Sequence, residues 1–74
     1  MATIKEAYDA LYVHEKSLWA LGPHAISVEE EGRNNFVVVL WFEGIVPEVP
    51  TNIVSAKGAV VMIDTRHEER FRPE

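Results

Sequence analysis

The chain contains no cysteine, which excludes disulfide bonds, thiolate metal sites and a cysteine nucleophile. Basic residues are also few, because 7 Lys and Arg face 12 Asp and Glu and give a formal net charge of −5. Nucleic-acid binding depends on basic surface, so we do not expect it. No apolar run approaches the roughly 18 residues of a membrane span, and the N-terminus lacks a signal-peptide pattern. These absences predict a cytoplasmic protein without nucleic-acid or membrane partners.

The composition of the chain is that of an ordinary globular protein. Of its 74 residues, 47% are apolar and 26% are charged. A chain of this length forms one domain, so we expect a single unit over residues 1–74. Such a domain hides only about 60% of the surface that its unfolded chain exposes. Its stability is therefore expected to be marginal.

A helix is predicted from Thr3 to Leu21. Thr3 and Glu6 have the spacing of a capping box, in which each side chain bonds the backbone of the other residue. Gly22 and Pro23 end the helix, since glycine suits a left-handed cap and proline cannot continue the hydrogen-bond ladder. Apolar residues recur at helical spacing and predict one apolar face, formed by Ile4, Ala7, Tyr8, Leu11 and Leu18.

Three strands are predicted after the helix. Residues 25–31 alternate between apolar and polar side chains, and Gly32 to Asn35 suit a hairpin turn. Phe36 to Phe42 is an unbroken apolar run that is rich in β-branched and aromatic residues, which favours a second strand. Gly44 to Asn52 is predicted to be a loop, because its two prolines lack backbone donors. Ala59 to Thr65 is the third predicted strand.

The order of these elements is α-β-β-β, which predicts an α+β domain. One N-terminal helix can cover one face of a three-stranded sheet, and we expect that sheet to be mostly antiparallel. The first two strands should be antiparallel neighbours because a short turn joins them. The pairing of the last strand stays open, since a long loop separates it from the second strand.

The second strand is apolar on both of its faces, although one helix covers only one of them. An uncovered apolar face usually marks an interaction surface, and small domains often complete their core by association. We therefore predict a homodimer or higher homo-oligomer. The alternative is that the segment from Ile45 to Ile53, or Phe71, folds over this face. The residues of the predicted interface are Val37, Val39, Trp41, Val60 and Met62.

No recognisable catalytic constellation is present. His14, His24 and His67 do not stand at the spacing that places two metal ligands on one helix face. His14 and Glu15 could act as an acid/base couple in a cleft with Trp19, but a ring that covers the core while its nitrogens reach water explains His14 better. Nucleophile elbows and phosphate-binding loops are also missing from the sequence. We therefore predict a non-enzyme without catalytic residues, metal or cofactor.

The second half of the chain carries a pattern of apolar, proline and glycine residues. It comprises Glu29-Glu30-Glu31-Gly32, Phe36 to Leu40, Val46 to Pro50, Ile53, Gly58, Val60 to Ile63, Phe71 and Pro73. Over residues 24–73 this pattern resembles the small α+β segment that accompanies bacterial trypsin-like proteases. The resemblance implies an accessory or prodomain-like role, and it transfers no catalytic residue.

The function predicted from the sequence is a non-catalytic protein-interaction module that self-associates through its sheet and has a further protein partner. The alternative is a protease-associated inhibitor or prodomain-like module. Prolines restrict an exposed recognition segment before it binds, so the proline loop is a candidate contact for either function. The alternative, which the composition favours, is that the loop is only a rigid connector. Its residues are Val46, Pro47, Glu48, Val49 and Pro50.

Overall fold

The computed structural model describes residues 2–68, so Phe71 and Pro73 lie outside the described residues. The chain begins with α1, Ile4–Ala20. The predicted capping box is confirmed: the Glu6 amide donates to Thr3 Oγ1 at 3.1 Å, and the Thr3 amide donates to Glu6 Oε1 at 2.9 Å. The hydrogen bond from the Thr3 amide lowers the pKa of Glu6. The helix ends where Gly22 adopts a φ of +92°, which favours glycine.

Four strands form one mixed sheet. They are β1 (Ala25–Glu30), β2 (Phe36–Phe42), β3 (Asn52–Val54) and β4 (Val60–His67). Their order across the sheet is β1-β2-β4-β3. The β1–β2 and β3–β4 pairs are antiparallel, and the β2–β4 pair is parallel.

The predicted α+β class with one N-terminal helix is confirmed, but the count of three strands is wrong. Residues 52–54 form the extra strand β3, which is too short to show an alternating pattern. The sheet is also mixed, because β4 joins β2 in the parallel direction. A parallel neighbour needs a connection of about a dozen residues or more, and the segment between β2 and β4 has that length. The predicted antiparallel pairing of the first two strands is confirmed.

The core lies between α1 and one face of the sheet. Ala7 and Ala10 are buried where the helix crosses the strands, and their small side chains permit a close approach. Leu18 is buried about two turns further along the same helix. The sheet contributes its helix-facing residues to the same cluster, which are Val38, Leu40, Phe42, Ile53 and Val61.

Two hydrogen bonds join α1 to the β3–β4 hairpin. His14 Nε2 lies 2.9 Å from the Val54 carbonyl oxygen, and Asp9 Oδ2 accepts from the Ala56 amide at 2.8 Å. Because a carbonyl oxygen only accepts, Nε2 of His14 carries a proton in this bond. These contacts hold α1 against the β3–β4 hairpin.

Candidate functional site

The open face of the sheet, opposite α1, is the predicted association surface. Alternation along the strands places Val37, Val39 and Trp41 of β2 on this face. Both valines are already buried in the single chain, at 3% and 0% exposure. Trp41 is half-buried. Association would therefore gain little apolar area from the valines themselves.

The side chains of Trp41 and Arg66 extend towards Val39 from the neighbouring row of the sheet. Trp41 Nε1 donates to Ser27 Oγ at 3.0 Å, and Ser27 is the register partner of Val39 on β1. Arg66 bonds the carboxylate of Asp64, which is the register partner of Val39 on β4. The indole and the guanidinium group thus reach back towards Val39 from both sides. This arrangement accounts for the burial of an apolar residue on a face that α1 does not cover.

Charges surround Arg66 on the same face. The hydrogen bond from Arg66 lowers the pKa of Asp64, and the same bond raises the pKa of Arg66. Glu31 and Glu29 raise the pKa of Arg66 further through their charges. Ser27 Oγ also donates to Glu29 Oε2 at 2.9 Å. Polar groups from β1 and β4 therefore border the central valines of the open face.

The remaining exposed apolar residues of the open face lie together at its β3 edge. Val60 and Met62 were predicted interface residues, and they are 56% and 48% exposed. Val54 is the register partner of Val60 and is also exposed, so it extends this surface. We call Val54, Val60 and Met62 the sheet patch. The structure thus brings two predicted interface residues, Val60 and Met62, together at the surface, whereas Val37 and Val39 are buried.

The predicted contact loop follows β2 as an irregular segment. Val46, Glu48 and Pro50 are exposed, whereas Pro47 and Val49 are half-buried. Val49 packs against the hydrophobic core, so it anchors the loop. Ile45, which precedes the predicted contact residues, is 96% exposed. Only part of the loop is therefore presented to solvent.

The residues of the sequence-derived cleft are separated in the structure. His14 points towards β3, where it bonds Val54, while Glu15 and Trp19 line an open groove on the other side of α1. His24 lies 3.6 Å from Glu68 at the end of the sheet, and His67 is exposed. Within residues 2–68 no group of three or more His, Asp or Glu side chains is placed to hold a metal ion.

The solvent side of α1 carries aromatic residues that the sequence analysis did not single out as a surface. Tyr8, Tyr12 and Trp19 are 41%, 67% and 45% exposed. The two tyrosine rings are stacked, with centroids 6.3 Å apart and an angle of 28° between the rings. We call these three residues the aromatic stripe. Their spacing of four and seven residues was the available signal, but Tyr8 had been predicted to face the core.

An open groove of about 420 Å³ runs beside the aromatic stripe. It is lined by Tyr12, Val13, Glu15, Lys16 and Trp19. The groove has apolar walls and a charge of each sign.

Comparison with known proteins gives no match: no family model, curated protein or solved structure matches the chain significantly. The resemblance to the protease-associated segment therefore stays a prediction. Among the described residues, no helix combines the length and the apolar character needed to cross a membrane.

Proposed function

We propose that this chain is a non-catalytic protein-interaction module that associates with copies of itself. The aromatic stripe is the observation that supports it best. When a helix covers one face of a sheet, its solvent-facing side is normally polar. The solvent-facing side of α1 nevertheless exposes two tyrosines and a tryptophan. Tyr and Trp are enriched at interfaces and among the residues that carry most of the binding energy.

The sheet patch supports the same proposal from the other side of the molecule. Val54, Val60 and Met62 expose a smaller apolar surface than the stripe, with charged residues along its border. Burial of either surface would add apolar contact to a domain whose own core is small. Closed two-fold dimers are the commonest way in which a soluble chain achieves this.

Self-association predicts that size and stability depend on protein concentration. Sedimentation of the wild-type chain over a wide concentration range should show a rising average mass, and the melting temperature should rise in parallel, because association draws on the folded state. The variant Met62→Lys tests whether the sheet patch takes part in association, and it leaves the hydrogen bond between Trp41 and Ser27 in place. A chain that stays monomeric at every concentration, with a constant melting temperature, would contradict the proposal.

A second candidate function is a protease inhibitor or prodomain-like module that acts through the proline loop. The nearly complete exposure of Ile45 on an irregular segment favours it, since an inhibitory loop must present side chains to a protease cleft. The wild-type chain should then inhibit at least one member of a serine-protease panel. Replacement of residues 46–51 by Gly and Ser should abolish that inhibition, and absence of inhibition across the panel would contradict this function.

A further inference from the structure

We infer that the aromatic stripe is the docking surface for a second copy of this chain, with the two α1 helices packed antiparallel about a two-fold axis at Tyr12. The inference rests on the proposed self-association and specifies its surface, its occupant and its register. Three observations carry it: the apolar area of the stripe, its central position on the solvent side of α1, and the order of the charges beside it.

The area of the stripe suits a reversible dimer. An aromatic side chain offers about 200 Å², so the exposed fractions of the three rings amount to roughly 300 Å². Ile4 and Val13 are also exposed, and the stems of Lys5 and Lys16 add apolar surface. A standard interface buries about 800 Å² per partner. The stripe therefore provides the centre of a small interface, and the dimer should dissociate on dilution.

The rings of the stripe lie along a single line on the helix. At about 100° per residue, Tyr8, Tyr12 and Trp19 fall within an arc of about 40°. This line faces away from the buried residues Ala7, Ala10 and Leu18. Two helices can therefore approach along it without disturbing either core. Tyr12 lies midway along α1 and is the most exposed of the three, so it is the natural position for the axis.

The charges beside the stripe suit antiparallel packing. Lys5, Asp9 and Lys16 lie on one flank of the line through Tyr12. In a two-fold antiparallel pair the same flanks meet, and residues whose numbers sum to about 24 lie opposite each other. Lys16 then lies beside Asp9 of the second copy, and the contact occurs twice. Parallel two-fold packing would instead bring opposite flanks together, so Lys16 would not meet Asp9 of the second copy.

The same register suits the ends of the stripe. Lys5 comes level with Trp19 of the second copy, where a cation over an indole face is favourable. Glu15 comes level with Tyr8 of the second copy on the opposite flank, within reach of its hydroxyl group. Asp9 is already fixed in place, because its Oδ2 accepts from the Ala56 amide. Lys5, Glu15 and Lys16 beside the stripe thus each meet a group of the second copy that can bind them.

The first arm of the test compares the two surfaces by sedimentation of the full-length chain. Tyr12→Glu places two carboxylates together at the axis, so we expect dimer dissociation to become at least about tenfold easier. Met62→Lys is the matched control on the sheet patch and should dimerise like the wild type. Cooperative melting of both variants confirms that they fold.

The second arm tests the register by charge exchange. Lys16→Glu and Asp9→Lys each place like charges in contact, so each variant alone should dimerise at least about tenfold more weakly than the wild type. A mixture of the two variants restores both opposite-charge contacts and should form a heterodimer with near wild-type affinity. If Asp9→Lys does not fold, Tyr12→Glu still decides whether the stripe is the interface.

The outcomes separate this inference from the proposed function. Dimerisation that survives Tyr12→Glu but is lost in Met62→Lys would overturn the inference and leave self-association through the sheet. Weak variants that are not restored on mixing would overturn the antiparallel register. A wild-type chain that is monomeric at all concentrations would overturn both proposals and leave the stripe to a different protein.

Discussion

We expect Leu40→Asp to leave the chain unfolded, and Val38→Asp to do the same. Both residues are fully buried on the helix-facing side of the central strand. A carboxylate in this apolar cluster would lose its hydration or have to take up a proton, and either change costs several kcal/mol. A domain of this size has a free energy of unfolding of roughly 5 kcal/mol, so one such substitution is enough to unfold it.

Circular dichroism and thermal melting measure this result. Val60→Asp is the matched control, because Val60 lies on the neighbouring strand and is largely exposed on the other face. It should cost less than about 1 kcal/mol, the range of strand propensities. Native-like spectra and cooperative melting of both core variants would show that the helix does not cover the face of β2 described above.

The helix and the two strands of the hairpin were predictable from local patterns. The signals that begin and end the helix are local, because Thr3, Glu6 and Gly22 interact only with nearby backbone groups. The bounds of α1 therefore differ from the prediction by only one residue at each end. The predicted second strand coincides with β2. The last strand was expected to end at Thr65, but pairing with Phe42 of β2 extends it to His67. That extension depends on a distant strand, which no local pattern contains.

The missing strand and the parallel pairing could not be predicted for the same reason. β3 has only three residues, and its single buried side chain, Ile53, gives no periodicity. Its strand character comes from pairing with β4. The direction in which β4 joins β2 depends on the path of the whole connection between them. Such long-range pairings are decided by the balance of the complete fold rather than by short sequence windows.

The surfaces were predictable only in part. Two apolar faces on β2 were evident from the sequence, and Val37 and Val39 on the face that α1 does not cover are buried. The sequence could not show that the Trp41 and Arg66 side chains lean towards Val39, since this depends on the register of β1 and β4. The outward direction of Tyr8 was likewise hidden, because it borders the apolar face of α1 and could belong to either side.

We expect Leu18→Ala to lower the free energy of unfolding by about 2–5 kcal/mol, the second largest effect of a single substitution considered for this domain. Leu18 is 1% exposed and is the largest side chain that α1 places in the core. Its truncation removes apolar contact and leaves a cavity beneath the C-terminal end of the helix. Urea unfolding at a low protein concentration measures the loss without a contribution from association.

Tyr12→Ala is the matched control, because it removes a large side chain from the opposite side of the same helix. On the monomer it should lower the free energy of unfolding by no more than about 1.5 kcal/mol, because an exposed position loses little beyond the stacking with Tyr8. At high concentration it should additionally remove the rise in melting temperature seen for the wild type. If Tyr12→Ala instead destabilises the dilute monomer as much as Leu18→Ala does, the aromatic stripe packs within the chain. It would then be unable to receive a second copy.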